Sequence, residues 1–384
     1  MLHVYRQVVG LHKVAPVVST FKRENSDRFP FEPVRLVRRS LFRWLRRIWS
    51  VQIRNVPPRA LPDEVRSMRG ILTADRCQLL HIYFGNNGLF WLPLLHRRPV
   101  PSVVSFHGAD VRVNVDSPPA RRLFLELFAS STLVLARSES LASSLLDLGC
   151  PPAKLRIQRA GIPLDTFRYM PRRKPADGAW RLLQACRLIA KKGLELTIRA
   201  FATFSKGYPN AKLIIAGDGP LRGALEDLAK RLRLDDRIYF AGFVSQAALL
   251  EFYRESHLFL HPSEQTPGGD REGIPNSLLE AMATGLPCIA TRHGGIPEAV
   301  THLESGILVG ESDLERLENW LERLARDDEL RDSLGIQAAQ TIAKKFDLTT
   351  QIERLEEVYL SLCERPAARS GAPSDNGRNR HCTG

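Results

Sequence analysis

The chain has 384 residues, too many for one hydrophobic core, so its length predicts two or three domains. With 43% hydrophobic and 25% charged residues, the composition excludes a wholly disordered chain, a collagen-like fibre and a multispan membrane protein. No apolar run approaches the roughly 18 residues of a membrane-spanning helix. Charged residues near Met1 interrupt the apolar core of a signal peptide, and the six scattered cysteines form no metal-ligand spacing, so we expect a protein of the reducing cytosol.

The net charge of +13 is concentrated near the start, where residues 1–70 hold 15 Lys and Arg against 5 Asp and Glu. Such an excess predicts an anionic partner, which could be nucleic acid, an anionic membrane surface or a phosphorylated substrate. The segment Arg35–Arg54 has seven arginines and no acid. Helical spacing separates an arginine face from an apolar face, which fits an interfacial basic helix or a surface helix packed on its own sheet. The arginine face comprises Arg35, Arg38, Arg39, Arg43, Arg46 and Arg47, and the apolar face comprises Leu41, Trp44, Leu45 and Ile48.

In chain order, the pattern predicts a helix over Met1–Leu11 and a strand near Pro16–Thr20. Short apolar runs then alternate with helix-length amphipathic segments, which predicts parallel sheets with helices on both faces. The predicted strands are Leu79–Phe84, Ser102–Phe106, Thr132–Ala136, Leu182–Ala185, Leu213–Ala216 and Leu258–Leu260.

A shift in composition divides the chain into two α/β domains. The proline-rich and charged stretch Gly161–Asp177 is predicted to be the linker, between domains at 1–165 and 178–347. A last amphipathic helix is predicted over 348–363. The remainder, 364–384, is rich in Pro, Gly, Ser, Asn and Arg, and we expect it to be disordered.

Two loops of the first domain follow predicted strands. FGNNG brings Gly85 and Asn86 to the end of one strand, and SFHGAD brings His107 and Asp110 to the end of another. His107 alone could be a loop histidine bonded to a backbone carbonyl. Two such loops facing one cleft favour a binding site.

Two motifs of the second domain also follow strands. RLIAKKGLELTIRAF places Arg187 and Lys192 where they could converge on a diphosphate, although a solvated basic loop is the simpler interpretation. LIIAGDGPLR is a strand followed by a tight turn with Gly217 and Gly219. Because the third glycine of a dinucleotide fingerprint is absent, this turn alone is weak evidence for a nucleotide.

The segment EGIPNSLLEAMATGLPCIAT carries the richest pattern. Pro275 and Asn276 stand where a helix begins, and Gly273 before them lets backbone N–H groups approach an anion closely. Glu272 and Glu280 flank that helix start, and two carboxylates there could accept hydrogen bonds from sugar hydroxyls. The alternative is a pair of surface glutamates on a capped helix.

Together, HGAD, RLIAKKGLE, AGDGP, EGIPNSLLEAMATGLP and HGGIPEAV resemble retaining glycosyltransferases of family 4, of the exopolysaccharide and colanic-acid type, over about residues 5–363. The resemblance implies the GT-B fold, with two Rossmann-like domains facing across a cleft and the last helix crossing back to the first domain. It implies transfer of a sugar from a nucleotide-sugar to an acceptor hydroxyl by front-face attack, with retention of anomeric configuration. It implies no metal and no cofactor, because basic side chains and a helix dipole neutralise the leaving diphosphate.

The resemblance also implies roles for single residues. Arg187 and Lys192 match the basic pair on the diphosphate, and Glu280 matches the ribose-binding glutamate. Glu272 matches the glutamate beside the transferred sugar, and His107 the histidine near the anomeric carbon. Further donor-side positions are Gly217, Gly219, Gly273, Ile274, Pro275 and Asn276, and the acceptor-side positions are Gly85, Asn86 and Asp110.

The family begins with a strand and a glycine-rich loop, whereas Met1–Leu11 resembles the helix that follows them. We therefore expect the first strand and an acceptor-side loop to be missing, and the alternative function is a truncated, inactive protein that binds nucleotide-sugar without transfer.

A nucleotide-sugar epimerase is disfavoured by Glu272 and Glu280 in their context. Nucleic-acid binding is disfavoured because no stacking platform or helix-turn-helix pattern is present. The expected partners are a nucleotide-sugar, a glycan or lipid-linked acceptor and an anionic membrane through Arg35–Arg54, and the expected location is the cytoplasm or the inner face of the cell membrane.

Overall fold

The computed structural model describes residues 2–48, 57–108, 118–176, 178–266 and 272–364. The elements of the first part are α1 (Leu2–Val9), β1 (Val18–Thr20), β2 (Val34–Leu36), α2 (Arg43–Arg47), α3 (Pro62–Ala74), β3 (Leu80–Tyr83), α4 (Gly85–Phe90), α5 (Leu92–Leu95), β4 (Ser102–Phe106), α6 (Pro118–Ser130), β5 (Leu133–Ala136), α7 (Glu139–Asp147) and β6 (Leu155–Ile157). The second part comprises β7 (Arg181–Ala185), α8 (Leu194–Gly207), β8 (Lys212–Ala216), α9 (Arg222–Arg231), β9 (Ile238–Gly242), α10 (Gln246–Glu255), β10 (Leu258–His261), α11 (Asn276–Ala283), β11 (Cys288–Thr291), α12 (Ile296–Ala299), β12 (Ile307–Val309), α13 (Leu314–Arg326), α14 (Asp328–Phe346) and α15 (Leu348–Glu364).

The first part is built on a parallel sheet of four strands in the order β3-β4-β5-β6. Strands β4 and β5 are buried along their whole length, as continuous apolar runs covered by helices on both faces should be. The strand predicted near Pro16–Thr20 is β1, and it pairs in parallel with β2 as a separate two-stranded sheet. Among the described residues β3 is therefore an edge strand of the four-stranded sheet.

The second part is built on a parallel sheet of six strands in the order β12-β11-β10-β7-β8-β9. The order reverses at β7, so the loops after β7 and β10 leave the sheet at a topological switch point, where ligands bind in open α/β sheets. Helix α11 follows β10 in the chain and packs against α14, and its residues Leu278, Leu279 and Met282 are fully buried.

The last helix, α15, returns to the first domain. Its residues Leu355, Tyr359 and Leu362 share a buried cluster with Val103 of β4 and with Leu133 and Leu135 of β5. The predicted fold class, two parallel-sheet α/β domains with a C-terminal helix that crosses back, is confirmed.

The prediction of one continuous basic helix over Arg35–Arg54 is wrong. Arg35 lies in β2, whose backbone pairs with β1, and its guanidinium donates to Asp75 at 2.7 Å. The β-branched Val34 and the adjoining strand outweigh the helical spacing there. Helix α2 takes only the five residues Arg43–Arg47, and residues 49–56 lie outside the described part of the chain.

Arg46 also departs from the predicted arginine face. Its Nη1 donates to the fully buried carboxylate of Glu64 at 3.0 Å, and its guanidinium lies 5.3 Å from the ring centroid of Phe90. Arg46 therefore holds α2 onto α3 and α4, and it does not face solvent with Arg38 and Arg39.

Candidate functional site

The loop after β4 and the loop before α11 meet where the two domains face each other. His107 lines one small cavity together with Arg137 and Ser138 of the first domain and Gly273 and Ile274 of the second. Gly273 is so close that a Cβ on it would lie 3.7 Å from the carbonyl oxygen of His107. The His107 loop and the Gly273–Asn276 stretch, predicted from separate motifs, thus share one interdomain cleft.

Lys192 and Glu272 form an ion pair at the edge of this cleft. The Lys192 Nζ donates to Glu272 Oε2 at 2.5 Å, and the side chains are only 9% and 12% exposed. Lys192 ends a 3₁₀ turn, and the next residue, Gly193, has a φ of +58° and lies so close to Pro262 that a Cβ would overlap its carbonyl oxygen. The turn therefore requires glycine to direct Lys192 toward Glu272.

The Glu272 backbone is held by a histidine whose role the sequence motifs did not reveal. Its N–H donates to Nε2 of His293 at 2.8 Å, and Nδ1 of the same ring contacts Glu311 at 2.8 Å. Since Nε2 accepts, Nδ1 carries the proton and donates to the carboxylate. Gly294 has a φ of +57° and would collide with the Glu272 carbonyl if it had a Cβ. The HGGIPEAV motif thus positions Glu272.

Glu280 lies on α11, where it is only 4% exposed. Its Oε1 accepts from Arg6 Nη1 of α1 at 3.0 Å, and its Oε2 accepts from Tyr253 at 3.3 Å and Gln246 at 3.5 Å. Burial raises the pKa of the Glu280 carboxyl, and the nearby Arg6 charge opposes that rise.

Pro275 and Asn276 begin α11 as the sequence predicts. The Asn276 Oδ1 accepts from Arg137 Nη2 at 2.9 Å, so this helix start is tied to the first domain. Ser277 donates to the Ala185 carbonyl at 2.6 Å, which ties it to the end of β7.

His107 lies among aromatic and polar side chains of the first domain. Its Nδ1 is 3.1 Å from Nε2 of His3, its Nε2 is 3.1 Å from the Ser105 hydroxyl, and the Phe84 ring centroid is 4.4 Å away. Burial and the Arg137 charge lower the pKa values of both histidines, that of His3 to about 2. Both imidazoles are therefore neutral near pH 7.

The remaining predicted positions differ in their surroundings. Gly217 and Gly219 pack on the backbone of Cys186 and Leu188, where a Cβ would lie 1.8 and 2.5 Å from their carbonyl oxygens. Close packing therefore explains why both positions are glycine. A Cβ on Gly85 would lie 2.2 Å from the Phe106 ring. Arg187 and Asn86 are exposed, and Asp110 lies outside the described residues.

Besides His293, the side chains at the cleft that were not singled out from the sequence include His3, Arg6, Arg137 and Tyr253. They belong to no compact motif, and Arg6 and Glu280 are 274 positions apart in the chain. Within the described residues, no group of three or more His, Cys, Asp or Glu side chains could hold a metal ion. Among the helices described, none is both long and apolar enough to cross a membrane.

Comparison with known families covers nearly the whole chain. The model of Glycosyltransferase Family 4 matches residues 3–166, and the model of Glycosyl transferases group 1 matches residues 166–341. The two models meet at residue 166, within the stretch that joins the two sheets.

Curated relatives include two polysaccharide enzymes. The amylovoran biosynthesis glycosyltransferase AmsK of Erwinia amylovora is 31% identical over 256 residues, which is 67% of this chain and 63% of the relative. The putative colanic acid biosynthesis glycosyltransferase WcaL of Salmonella typhimurium is 32% identical over 63% of this chain and 60% of the relative. The match thus spans somewhat less than two thirds of these relatives' lengths.

Solved structures share the fold at low sequence identity. Anabaena Alr3699/HepE in complex with UDP aligns with a TM-score of 0.71 at 19% identity, covering 94% of this chain and 96% of that one. A glycosyltransferase from Rickettsia africae ESF-5 aligns with a TM-score of 0.74 at 15% identity over the same shares of the two chains.

Proposed function

The chain belongs to the family 4 (group 1) glycosyltransferases, and from this membership we propose that it moves a sugar from a nucleotide-sugar donor to an acceptor hydroxyl with retention of anomeric configuration. We further propose that the product is an exopolysaccharide or another cell-surface glycan, since relatives carry names from amylovoran and colanic acid biosynthesis. The observation that best supports transfer is the convergence of His107 with Gly273 and Ile274 across one interdomain cleft.

On the donor side, Glu280 would accept hydrogen bonds from the ribose hydroxyls, and Lys192 and Arg187 would neutralise the leaving diphosphate. Lys192 is already buried beside Glu272, so its charge needs little reorganisation as charge develops on the leaving group. The N-terminus of α11, behind Gly273, would add N–H groups and the positive end of the helix dipole. UDP is bound in the Alr3699/HepE structure, which supports a nucleotide donor.

The transfer itself would form the bond between the acceptor oxygen and the anomeric carbon while the bond from that carbon to the diphosphate oxygen breaks. The acceptor proton would pass to the departing diphosphate on the same face of the sugar. Glu272 and the neutral His107 would orient the sugar hydroxyls at the reacting centre. Because the pKa of His107 is lowered, the imidazole would act as a hydrogen-bonding group and not as an acid.

We propose that the acceptor is a glycan or is lipid-linked, and that an anionic membrane surface at the inner face of the cell membrane is a partner. Around α2, Leu41, Phe42 and Trp44 are 87%, 68% and 62% exposed beside the exposed Arg38 and Arg39. Exposed aromatic and arginine side chains together match an interface of apolar chains and anionic headgroups.

The exposed surface also lies near the acceptor side of the cleft. Helix α4 begins beside Phe84, which contacts His107, and ends at Phe90, which contacts Arg46 of α2. Six helical residues span roughly 9 Å. A lipid-linked acceptor held at this surface would therefore be within a short distance of His107.

The decisive experiment is a panel of UDP- and GDP-sugars with lipid-linked acceptor extracts, followed by kinetics of two variants. E280Q should raise KM for the donor by about tenfold with kcat nearly kept, because ribose is remote from the reacting bond. E272Q should instead lower kcat. A donor that is bound but never transferred would favour the inactive alternative, and equal losses of kcat in both variants would contradict the assigned roles.

A further inference from the structure

Helix α1 enters the cleft with two polar side chains on one face. His3 reaches His107, and Arg6, three positions later, reaches Glu280 of the second domain. The helix is fixed from behind by α15, because Gly10 packs on Ile352 and the N–H groups of His12 and Lys13 both donate to Glu356 Oε1. The position of Arg6 is therefore set by the fold.

Arg6 is the main charge partner of Glu280. The side chains are 11% and 5% exposed, and the guanidinium also lies 5.5 Å from the ring centroid of Phe167. Tyr253 has one hydroxyl proton to divide between the Ser277 carbonyl at 3.1 Å and Glu280 at 3.3 Å. Without Arg6, the Glu280 carboxylate would be buried with little compensation.

The same arrangement blocks the proposed use of Glu280. A ribose diol must approach the carboxylate oxygens, but the carboxylate is almost fully covered, and Arg6 already donates to Oε1. Diol and guanidinium compete for the same lone pairs.

We propose that Arg6 gates the donor site: it neutralises Glu280 in the donor-free enzyme and leaves Glu280 when a nucleoside diphosphate brings its ribose diol. This inference rests on the ribose-binding role proposed for Glu280. It predicts that the net free energy of donor binding includes a gain from the contact between the diol and Glu280 and a loss from breaking the Arg6–Glu280 ion pair. Removing Arg6 should therefore strengthen the binding of ligands that carry the diol, and only of those.

The test is isothermal titration calorimetry on the full chain with UDP and GDP and with their 2′,3′-dideoxy forms. R6Q should bind whichever ribonucleotide the parent prefers about tenfold more tightly, the size of one hydrogen bond to a charged group. Its affinity for the dideoxy form should equal the parent's. The matched control is R159Q, because Arg159 also bridges the domains, to Glu298, but does not touch Glu280. R159Q should leave the ratio of the two affinities unchanged.

Weaker ribonucleotide binding by R6Q would overturn the gate and would indicate that Arg6 contacts the bound nucleotide. An equal gain with R159Q would also overturn it, since general loosening of the domains would then explain the effect. If the parent binds neither UDP nor GDP and transfers no sugar, the proposed function itself fails.

A second measurement is made on the parent protein, in case R6Q does not fold. The Arg6 Nε–H signal in ¹⁵N NMR spectra, assigned with an R6K variant, should exchange slowly with water while Glu280 holds the guanidinium. It should exchange faster when the preferred ribonucleotide binds, because the Arg6–Glu280 ion pair breaks, and the dideoxy form should not produce this change. Equal exchange of this signal with both ligands would contradict the gate.

Discussion

Lys192 and Glu272 form a buried ion pair, so a substitution of Lys192 should change both turnover and folding stability. The two effects can be measured separately. If Lys192 neutralises the leaving diphosphate, K192A should lower kcat by about a hundredfold or more and raise the donor KM much less, since that charge grows in the transition state. The variant also leaves Glu272 buried and unpaired, which should cost about 3 kcal/mol of folding free energy.

The double variant K192M/E272Q is the control for stability. It removes both charges, so its melting temperature should recover toward that of the parent while its turnover stays low. Steady-state kinetics and thermal melts of the two variants provide the comparison. Turnover that recovers together with the melting temperature would make the pair structural only.

At the scale of elements, strands and the start of α11 could be predicted from sequence, because continuous apolar runs and the Pro275–Asn276 helix start are local signals. The structure of the basic segment Arg35–Arg54 could not be predicted, because the strand pairing that joins Val34 to Val18 also places Arg35 in a strand. The contacts of Arg6 with Glu280 and of Arg137 with Asn276 join residues far apart in the chain, and no local spacing encodes such pairs.

Strand β3 and helix α15 meet at His81, and this contact should depend on pH. Burial lowers the pKa of His81 to about 3, and its Nδ1 is hydrogen-bonded to the Tyr359 hydroxyl. An unfolded histidine titrates near 6.5. Between about pH 6.5 and 3 the unfolded chain therefore binds a proton that the folded chain does not, so the stability present above pH 6.5 is lost as the pH falls.

Urea unfolding at several pH values between 5 and 7 measures this effect. The contribution of His81 to the slope of unfolding free energy against pH approaches about 1.4 kcal/mol per unit. H81Q should unfold more easily at neutral pH. Its unfolding free energy should depend less steeply on pH, by up to about 1.4 kcal/mol per pH unit, because one proton fewer is taken up on unfolding. An unchanged slope would mean that the pKa of His81 is the same in the folded and the unfolded protein.

The exposed surface around α2 should bind anionic membranes. Arginines near such a surface contribute about 1 kcal/mol each, and exposed Phe42 and Trp44 add apolar contact. We expect salt-sensitive sedimentation with phosphatidylserine-containing liposomes, reduced at least tenfold in the double variant R38Q/R39Q and in F42S/W44S. Arg46 is left intact because its ion pair with Glu64 holds α2 in place.

Zwitterionic liposomes and an R199Q variant serve as controls, since Arg199 is an exposed arginine of α8 in the other domain. Parent protein that stays in the supernatant with anionic liposomes would contradict the membrane partner. So would sedimentation that R38Q/R39Q and F42S/W44S leave unchanged, or that R199Q reduces as much as they do.

At the scale of the whole molecule, a helix cap supplied by the opposite domain joins the two sides of the cleft. Glu298 of α12 accepts from the backbone N–H groups of Glu139 at 2.8 Å and Ser140 at 3.0 Å, at the start of α7. A carboxylate at this position satisfies N–H groups that have no partner within their own helix and lies at the positive end of the helix dipole. Because the cap crosses the domain boundary, its free energy contributes to domain closure as well as to α7.

E298A should therefore shift the donor-free molecule toward an open form. A cap contributes about 1 kcal/mol, which corresponds to about a fivefold change in the ratio of closed to open molecules. Small-angle X-ray scattering should show a larger radius of gyration than for the parent, and a bound nucleoside diphosphate should reverse the increase. D313A is the matched control, because Asp313 caps α13 from within the same domain, at 3.1 Å from the Arg316 N–H. It should lower the melting temperature without changing the radius, and an E298A variant that behaves the same way would show that Glu298 stabilises α7 without controlling closure.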